Sequence, residues 1–304
     1  MNKITILGVF ACDTTYFAER LPEPGETLLG TDFKLGPGGK GSNQAVACAK
    51  LGADTSLLTM LGNDSFAQLA EETWQRWGVR ANAMRVESTH TGAAFIFVEP
   101  SGENAIIIVP GAGRLITSRY VEENKTVIQS ADVFMTQLEQ PIDAALTGLK
   151  LARQKGVTTI LNPAPAALLP EEMLAYCDYV TPNRGEAELL TGIGIGAPED
   201  AGRAAEQLLD KGAQNVIVTM GAEGAYCHNR SASFLVPAFP VDEVVETTGA
   251  GDAFNAGFAV GIASGSNMRD AVRLGCATAA ISVTRHGTAA AMPTRSDVEA
   301  LMRE

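Results

Sequence analysis

The stretch Glu246-Thr-Thr-Gly-Ala-Gly-Asp252 runs directly into the apolar segment Ala253-Phe-Asn-Ala-Gly257. The small residues Gly249–Gly251 allow a backbone turn to approach an anion closely, and the apolar segment indicates that a helix follows. Free N–H groups and the helix dipole make such a helix N-terminus a phosphate site. Asp252 repels phosphate but is suited to take a proton from a hydroxyl that attacks phosphorus. The alternative interpretation is a Gly-rich turn with an Asp near a helix cap.

Length and charge limit the possible functions. The chain has 304 residues, which allows one large or two medium domains. Its net charge of −12 at pH 7, with no run of Lys and Arg, argues against a nucleic-acid or anionic-membrane surface. No apolar run approaches the length of a transmembrane helix, so we expect neither a nucleic acid nor a membrane as partner.

Five scattered cysteines form no Cys-x-x-Cys pair: Cys12, Cys48, Cys177, Cys227 and Cys276. This distribution favours reduced, mostly buried thiols in a cytoplasmic protein over disulfides or a metal site. The N-terminal residues 1–8 lack an apolar stretch of signal type and are typical of a first strand.

Apolar strand-like runs alternate with helical patterns along most of the chain. The predicted strands are Ile4–Val9, Thr55–Leu61, Ala131–Thr136, Val157–Leu161, Tyr179–Thr181 and Asn215–Thr219. The predicted helices are Gly41–Leu51, Ser65–Trp77, Ser118–Ile128, Asp143–Lys155, Pro198–Lys211, Gly251–Ser264, Arg269–Val283 and Ser296–Met302. This alternation predicts an α/β fold with a mostly parallel central sheet.

Two segments interrupt the alternation. Thr14–Leu35 contains prolines and alternates weakly, and Gly92–Val109 has the pattern of a hairpin around Pro100-Ser-Gly102. We predict that residues of about 11–36 and 91–109 form a small protruding β-sheet, a lid on a single domain that spans residues 1–304. The alternative is two surface loops with edge strands.

A second glycine cluster, Gly36-Pro-Gly-Gly-Lys-Gly-Ser-Asn-Gln44, precedes a helical pattern. It is not a Walker A loop, because Gly41 follows Lys40 where that motif requires Ser or Thr. Asn43, Lys40 and backbone N–H groups match the donors and acceptors of a polyhydroxy ligand better than a triphosphate. A glycine-rich turn with a solvated Lys is the alternative.

Carboxylates follow two of the predicted strands, at the edge where α/β sheets bind ligands. Asp13 lies just after the first strand and can accept from two vicinal hydroxyls, although a turn or capping Asp is the alternative. Glu139 closes another strand region in Gln137-Leu-Glu-Gln-Pro141.

Two further strand ends suit a nucleotide. Asn183 and Glu186 lie three residues apart at a helix start, where they can hold water on Mg²⁺ or simply form a capping box, which the spacing alone favours. The turn Thr219–Gly224 follows an apolar strand and is suited to a ribose or phosphate, with a tight hairpin as the alternative.

These motifs together resemble those of the ribokinase-like (PfkB) carbohydrate kinases, in order along the whole chain. Residues 38–45 are similar to the N-terminal signature of this family, and residues 247–254 to its C-terminal signature. Three more motifs resemble its ribokinase members: Pro22-Glu-Pro-Gly-Glu-Thr27, Asn162-Pro-Ala-Pro165 and Thr181-Pro-Asn183 with Glu186.

The resemblance implies a three-layer α/β/α fold and ATP-dependent phosphorylation of a sugar primary hydroxyl, with Asp252 as general base. The implied anion hole is formed by the backbone N–H groups of Gly249, Ala250 and Gly251. The implied sugar site comprises Asp13, Gly39, Lys40, Asn43, Glu139 and Asp252. The implied nucleotide site comprises Asn183, Glu186, Thr219, Gly221, Gly224 and Gly251, with Mg²⁺ held by Glu186 through water. The lid would close over the sugar and join two subunits as a homodimer.

Three positions depart from the ribokinase pattern. Ala11 stands where these enzymes usually carry an Asn that can bind a ring hydroxyl. Glu246 replaces the Asp that begins the monovalent-cation site, and Ala291 replaces a Ser near its end. Its other implied ligands are mainly carbonyls, around Thr248, Ser282, Arg285 and Gly287. We therefore expect activation by K⁺.

The resemblance implies that D-ribose is phosphorylated at its 5-hydroxyl. The alternatives are 2-deoxyribose or another pentose as the substrate, and a non-catalytic sensor of sugar or nucleotide on the same fold. The intact Asp252 and its glycine turn argue against a sensor.

Overall fold

A computed structural model describes residues 2–101 and 103–303 of the chain. Its strands are β1 (Lys3–Leu7), β2 (Ala11–Phe17), β3 (Asp32–Gly38), β4 (Asp54–Leu61), β5 (Arg80–Arg85), β6 (Gly92–Val98), β7 (Asn104–Val109), β8 (Val133–Thr136), β9 (Thr158–Leu161), β10 (Tyr179–Val180), β11 (Asn215–Thr219), β12 (Ala225–Asn229) and β13 (Ala232–Val236). Its α-helices are α1 (Lys40–Lys50), α2 (Ser65–Trp77), α3 (Ser118–Glu123), α4 (Lys125–Gln129), α5 (Ile142–Arg153), α6 (Arg184–Thr191), α7 (Pro198–Asp210), α8 (Ala250–Ala263), α9 (Met268–Ser282) and α10 (Arg295–Leu301).

Nine strands form the central sheet in the order β13-β12-β11-β10-β9-β8-β1-β4-β5. Neighbours from β11 through β5 pair in parallel, and β12 and β13 add an antiparallel edge. The parallel strands therefore end at a common edge, where their loops meet. The predicted α/β fold with a mostly parallel central sheet is confirmed.

Neighbouring residues of a strand point to opposite sides of the sheet. Because the strands carry apolar side chains on both sides, helices cover both faces of the sheet. In β1, Ile4 and Ile6 pack into the core beneath α1, α2, α8, α9 and α10, whereas Leu7 packs into the core beneath α3–α7. The two cores make the three layers of the fold.

A separate four-stranded sheet has the order β3-β2-β6-β7, with β2 and β6 parallel and the two outer pairs antiparallel. It contains the two segments that interrupt the alternation in the sequence. One face carries Asp13 and borders a pocket, and the opposite face carries the adjoining rings of Tyr16 and Phe33. The predicted turn residue Gly102 lies outside the described residues.

Two of the differences from the predicted elements are a divided helix and an unpredicted edge strand. The segment predicted as one helix over residues 118–128 is divided into α3 and α4, which meet at Asn124. The edge strand β5 was not predicted, because Arg80-Ala-Asn-Ala-Met-Arg85 is mostly exposed and has too few apolar residues for a strand pattern.

All five cysteines lie within the described residues, where each is buried and free. In the same part of the chain, no helix combines the length and apolar character that crossing a membrane requires.

Candidate active site

A pocket of about 210 Å³ lies at the common edge where the parallel strands end. The residues that follow β9, β10 and β11 meet the N-termini of α1, α6 and α8 there. The pocket is lined by Lys40, Asn162, Ala164, Thr181, Asn183, Glu186, Thr219, Thr247, Gly249, Gly251, Asp252 and Asn255. The fold thus brings together residues that lie far apart in the sequence.

The N-terminus of α8 carries no side-chain cap. Gly249 adopts a left-handed conformation with φ of 81°, which favours glycine. Within residues 2–101 and 103–303, the N–H groups of Gly249, Gly251 and Asp252 have no hydrogen-bond acceptor. The N–H of Ala250 instead donates to the Thr247 carbonyl at 3.1 Å. The free donors therefore differ from the predicted set, with Asp252 in place of Ala250.

Asp252 is only 5% exposed, and both of its carboxylate oxygens accept from amide side chains. Asn43 Nδ2 donates to Oδ2 at 3.0 Å, and Gln44 Nε2 donates to Oδ1 at 3.0 Å. Burial raises the pKa of Asp252, while the charge of Lys40 and these two bonds oppose the increase. The predicted sugar ligand Asn43 therefore also holds the predicted base.

The other predicted sugar-site carboxylates lie around the start of α1. The Asp13 carboxylate fits against Gly38, where any Cβ would overlap it. Glu139 Oε2 accepts from the backbone N–H of Lys40 at 2.8 Å. Burial, reinforced by Asp252, raises the pKa of both carboxyls to about 7, although Lys40 opposes this increase at Glu139.

Asp13 borders a second pocket of about 640 Å³ between the small sheet and the main body. Asn43 Oδ1 is buried and accepts no hydrogen bond from any described residue. An unused acceptor next to the Asp252 carboxylate suits a ligand with hydroxyl donors, which is the chemistry of a sugar.

Asn183 and Glu186 form the capping box at the start of α6 that their spacing favours. Asn183 Oδ1 accepts from the Glu186 N–H at 2.8 Å, and the Glu186 carboxylate accepts from the backbone and side-chain N–H groups of Asn183. Asn183 and Glu186 therefore have a structural role as the cap of α6, in addition to their predicted role in nucleotide binding. Within the described residues, no cluster of three or more His, Cys, Asp or Glu is arranged to hold a metal ion.

Only some of the residues predicted to bind the nucleotide in the turn Thr219–Gly224 line the pocket. Thr219 lines the pocket of about 210 Å³, whereas Gly221 and Gly224 do not. Gly224 has φ of 100°, and a Cβ there would overlap the Val236 carbonyl. The hairpin that the sequence left open as an alternative therefore accounts for Gly224.

The loops predicted to hold a monovalent cation are adjacent. Glu246 Oε2 accepts from the Gly287 N–H at 2.9 Å, and the Val283 carbonyl accepts from the N–H of Glu246 at 3.1 Å. Ser282 is buried, while the side chain of Arg285 donates to Asp297 at 3.1 Å. Thr248, the remaining predicted member of this set, is exposed, and Ala291, which departs from the family pattern, is buried.

Three polar residues at the site were not predicted to have a role: Gln44, Asn162 and Asn255. Each lies next to or inside a quoted motif, but each makes a contact that joins segments more than 70 residues apart. The sequence contains no periodic signal that reports such pairings.

Comparisons with known proteins agree with this geometry. A model of the pfkB family of carbohydrate kinases matches residues 1–295. A ribokinase of Haemophilus influenzae is 36% identical over 297 residues, which cover 97% of each chain, and a deoxyribokinase of Salmonella typhi is 35% identical over 294 residues, which cover 95% of each. The solved structure of Arabidopsis thaliana ribokinase with ribose and ATP superimposes with a TM-score of 0.96 at 29% identity, covering 100% of this chain and 99% of that one. The chain belongs to the pfkB family of carbohydrate kinases.

Proposed function

We propose that the protein is a ribokinase, which transfers the terminal phosphoryl group of ATP to the 5-hydroxyl of D-ribose. The observation that carries the proposal is the environment of Asp252. This buried carboxylate is held on both oxygens and stands beside free N–H groups at an uncapped helix N-terminus. A base next to an anion site is what phosphoryl transfer to a hydroxyl requires.

In the proposed reaction, Asp252 accepts the proton of the 5-hydroxyl as the hydroxyl oxygen attacks the terminal phosphorus of ATP, whose bond to ADP breaks so that ADP leaves. The N–H groups of Gly249, Gly251 and Asp252 donate to the oxygens of the phosphoryl group, whose charge they stabilise without rearranging. Because donors and base belong to one helix turn, the attacking oxygen and the phosphoryl group are positioned together.

We assign sugar binding to the residues around the start of α1. Asp13, Glu139 and the free Oδ1 of Asn43 supply acceptors for hydroxyl groups, and Lys40 supplies a donor. Gly39 belongs to this set through its backbone, which turns into the start of α1 with φ of 87°.

We assign the nucleotide to Asn183, Glu186 and Thr219, which line the same pocket as Asp252. Glu186 would hold Mg²⁺ through water, since Mg²⁺ bound with phosphates needs few protein carboxylates. Bound there, Mg²⁺ would neutralise phosphate charge.

A pentose panel tests the substrate, with kcat/KM compared for ribose, 2-deoxyribose, arabinose and xylose. We expect ribose to rank first; a clear preference for 2-deoxyribose would overturn ribose as the substrate. That second candidate is favoured by Ala11, which shares a face of β2 with Asp13 and offers only a methyl group. The similarity to a deoxyribokinase adds to it.

We also propose activation by K⁺, bound between Glu246 and carbonyl groups of the loop that contains Gly287. The contact between these two loops supports a shared cation site. We expect ribose 5-phosphate to form faster in K⁺ than in Na⁺ or without a monovalent cation. Equal rates in all three salts would contradict the proposal.

The small sheet is proposed to be a lid on a single kinase domain and the contact surface of a homodimer. Its inner face borders the pocket that contains Asp13, and its outer face exposes apolar side chains. An exposed apolar surface next to a site is typical of a protein interface.

A further inference from the structure

A chain of buried hydrogen bonds leads from Asp252 to the end of β10. Gln44 Nε2 donates to Asp252 Oδ1 at 3.0 Å and to Asn162 Oδ1 at 3.2 Å. Asn162 Nδ2 in turn donates to the Thr181 carbonyl at 3.2 Å. Through Gln44, the carboxylate is therefore connected to the ends of two strands of the central sheet.

The same chain returns to α8. Thr181 Oγ1 donates to Asn255 Oδ1 at 2.6 Å, and Asn255 Nδ2 donates to the Gly251 carbonyl at 2.9 Å. The hydrogen bonds thus lead from the carboxylate of Asp252 to the carbonyl of Gly251. The peptide bond between Gly251 and Asp252 closes them into a ring. Asp252, the proposed base, and the adjoining turn of the anion site are therefore both attached to this ring of hydrogen bonds.

The amide of Gln44 has one orientation in this ring. Its nitrogen uses both hydrogens, and its oxygen accepts from Gln137 Nε2. A reversed amide would bring its oxygen against the Asp252 carboxylate and would leave Gln137 without an acceptor. Because Gln44 is 0% exposed, water cannot replace these partners.

We infer that Gln44 is a positioning residue that holds the Asp252 carboxylate in the orientation required for proton transfer. The inference rests on the proposed function, since it assigns Asp252 as the base. Gln44 is 0% exposed, and both of its amide hydrogens and its oxygen are engaged by protein side chains, whereas the Oδ1 of its neighbour Asn43 is free for a ligand. Gln44 therefore acts through Asp252 rather than through contact with the sugar.

The test compares wild type and Gln44→Met for kcat, KM and the pH dependence of kcat/KM with ribose. Methionine has a similar shape but cannot donate, so the ionised carboxylate loses one stabilising bond. Loss of this bond raises the pKa of Asp252. We therefore expect the acidic limb of the pH profile of kcat/KM to move up by about one pH unit. The plateau of kcat falls roughly tenfold, because the base is less well oriented, while KM for ribose changes little.

Gln140→Met is the matched control. Gln140 is a buried glutamine with the same side chain, and its amide donates to Thr136 and the Gln137 carbonyl but not to the ring. We expect its acidic limb to coincide with that of wild type. A folded Gln44→Met variant with the wild-type limb and plateau, or the same change in both variants, would overturn the inference.

A second variant covers the case in which Gln44→Met fails to fold. Gln137→Met removes only the donor that orients Gln44, and we expect a smaller shift of the acidic limb in the same direction. If Gln44→Met does not fold, a wild-type profile for Gln137→Met overturns the inference. Wild-type protein that phosphorylates no pentose would overturn the proposed function itself, whereas an active wild type with unaffected variants overturns the inference alone.

Discussion

The carboxyl groups of the site are weaker acids than usual because the protein surrounds them. Asp13 and Glu139 both reach a pKa of about 7, mainly through burial, and the pKa of Asp252 is raised for the same reason. A carboxylate with a raised pKa is a stronger base and gains more from a hydroxyl donor than a solvated one. The proposed function of single residues therefore depends on carboxylate charges whose burial is energetically unfavourable.

Removal of the base charge tests the role of Asp252. We expect Asp252→Asn to lower kcat by about 10²-fold or more, because no acceptor for the hydroxyl proton remains. Ribose should still bind with an affinity near that of wild type, measured by calorimetry. A variant that retains turnover close to wild type would contradict the assignment of Asp252 as base.

The raised pKa of Asp13 predicts that this residue lowers the stability of the protein while it supports ribose binding. Its pKa rises from 3.8 to about 7 on folding, so the folded state favours the protonated form. The stability that Asp13 contributes is therefore present at low pH and is lost as the pH rises toward 7 and above. We expect Asp13→Asn, neutral at every pH, to be more stable than wild type by about 1–2 kcal/mol at pH 8.

Thermal unfolding at pH 5 and pH 8 provides the measurement, since the advantage of Asp13→Asn should be small at pH 5. The same variant should bind ribose at least about tenfold more weakly because it loses a charged acceptor. Equal stabilities at pH 8 would show that Asp13 is not destabilised by its surroundings.

Two helix N-termini form the site at the scale of elements. Both α1 and α8 begin after a glycine with positive φ, Gly39 at 87° and Gly249 at 81°, and neither has a side-chain cap. At Gly39 the backbone also lies against β2, since a Cβ would be 2.7 Å from the Ala11 nitrogen. The first turn of α1 is thereby held close to the strand that carries Asp13.

Gly39→Ala tests this close packing against Gly78→Ala as a control. Gly78 has φ of 74°, and a methyl group at this position would meet nothing within 4 Å, so its substitution causes only backbone strain. We expect a loss of about 1 kcal/mol at Gly78 and of about 3 kcal/mol or more at Gly39, where the methyl group also overlaps backbone. Similar losses in denaturant unfolding would contradict the close-packing argument.

At the scale of the whole molecule, the small sheet has two unlike faces. Its inner face completes the larger pocket, while Tyr16, Phe33 and Ile107 project from its outer face into solvent. Because these side chains extend from edge to edge of one sheet, a partner can cover them together.

The proposed homodimer predicts that a charge on this face separates the subunits. Ile107 is 63% exposed, and we expect Ile107→Asp to be monomeric at concentrations where wild type is dimeric, measured by sedimentation. Leu168→Asp is the control, because Leu168 is 81% exposed but lies outside the small sheet. Wild type that sediments as a monomer, or Ile107→Asp that remains dimeric, would contradict the proposal.

Periodicity and local motifs account for what could be predicted from the sequence. Strand β11 and helix α2 have the predicted bounds, because β11 is a continuous buried apolar run and the buried residues of α2 recur at helical spacing. The edge strand β5 alternates only between exposed residues and half-buried alanines, so its sequence carries too weak an apolar signal to predict a strand. The Gly249–Asp252 turn was identifiable because glycines and an acid at a helix start combine into a local signal.

By itself, the sequence determined the α/β class, the phosphate-binding turn and the carboxylates at the strand ends, since each depends on residues close together in the chain. Only the tertiary structure decided that Gln44 and Asn43 share the carboxylate of Asp252. The two bonds to Asp252 join residues about 200 positions apart. Their geometry depends on how α1 and α8 pack against the sheet, which no local pattern specifies.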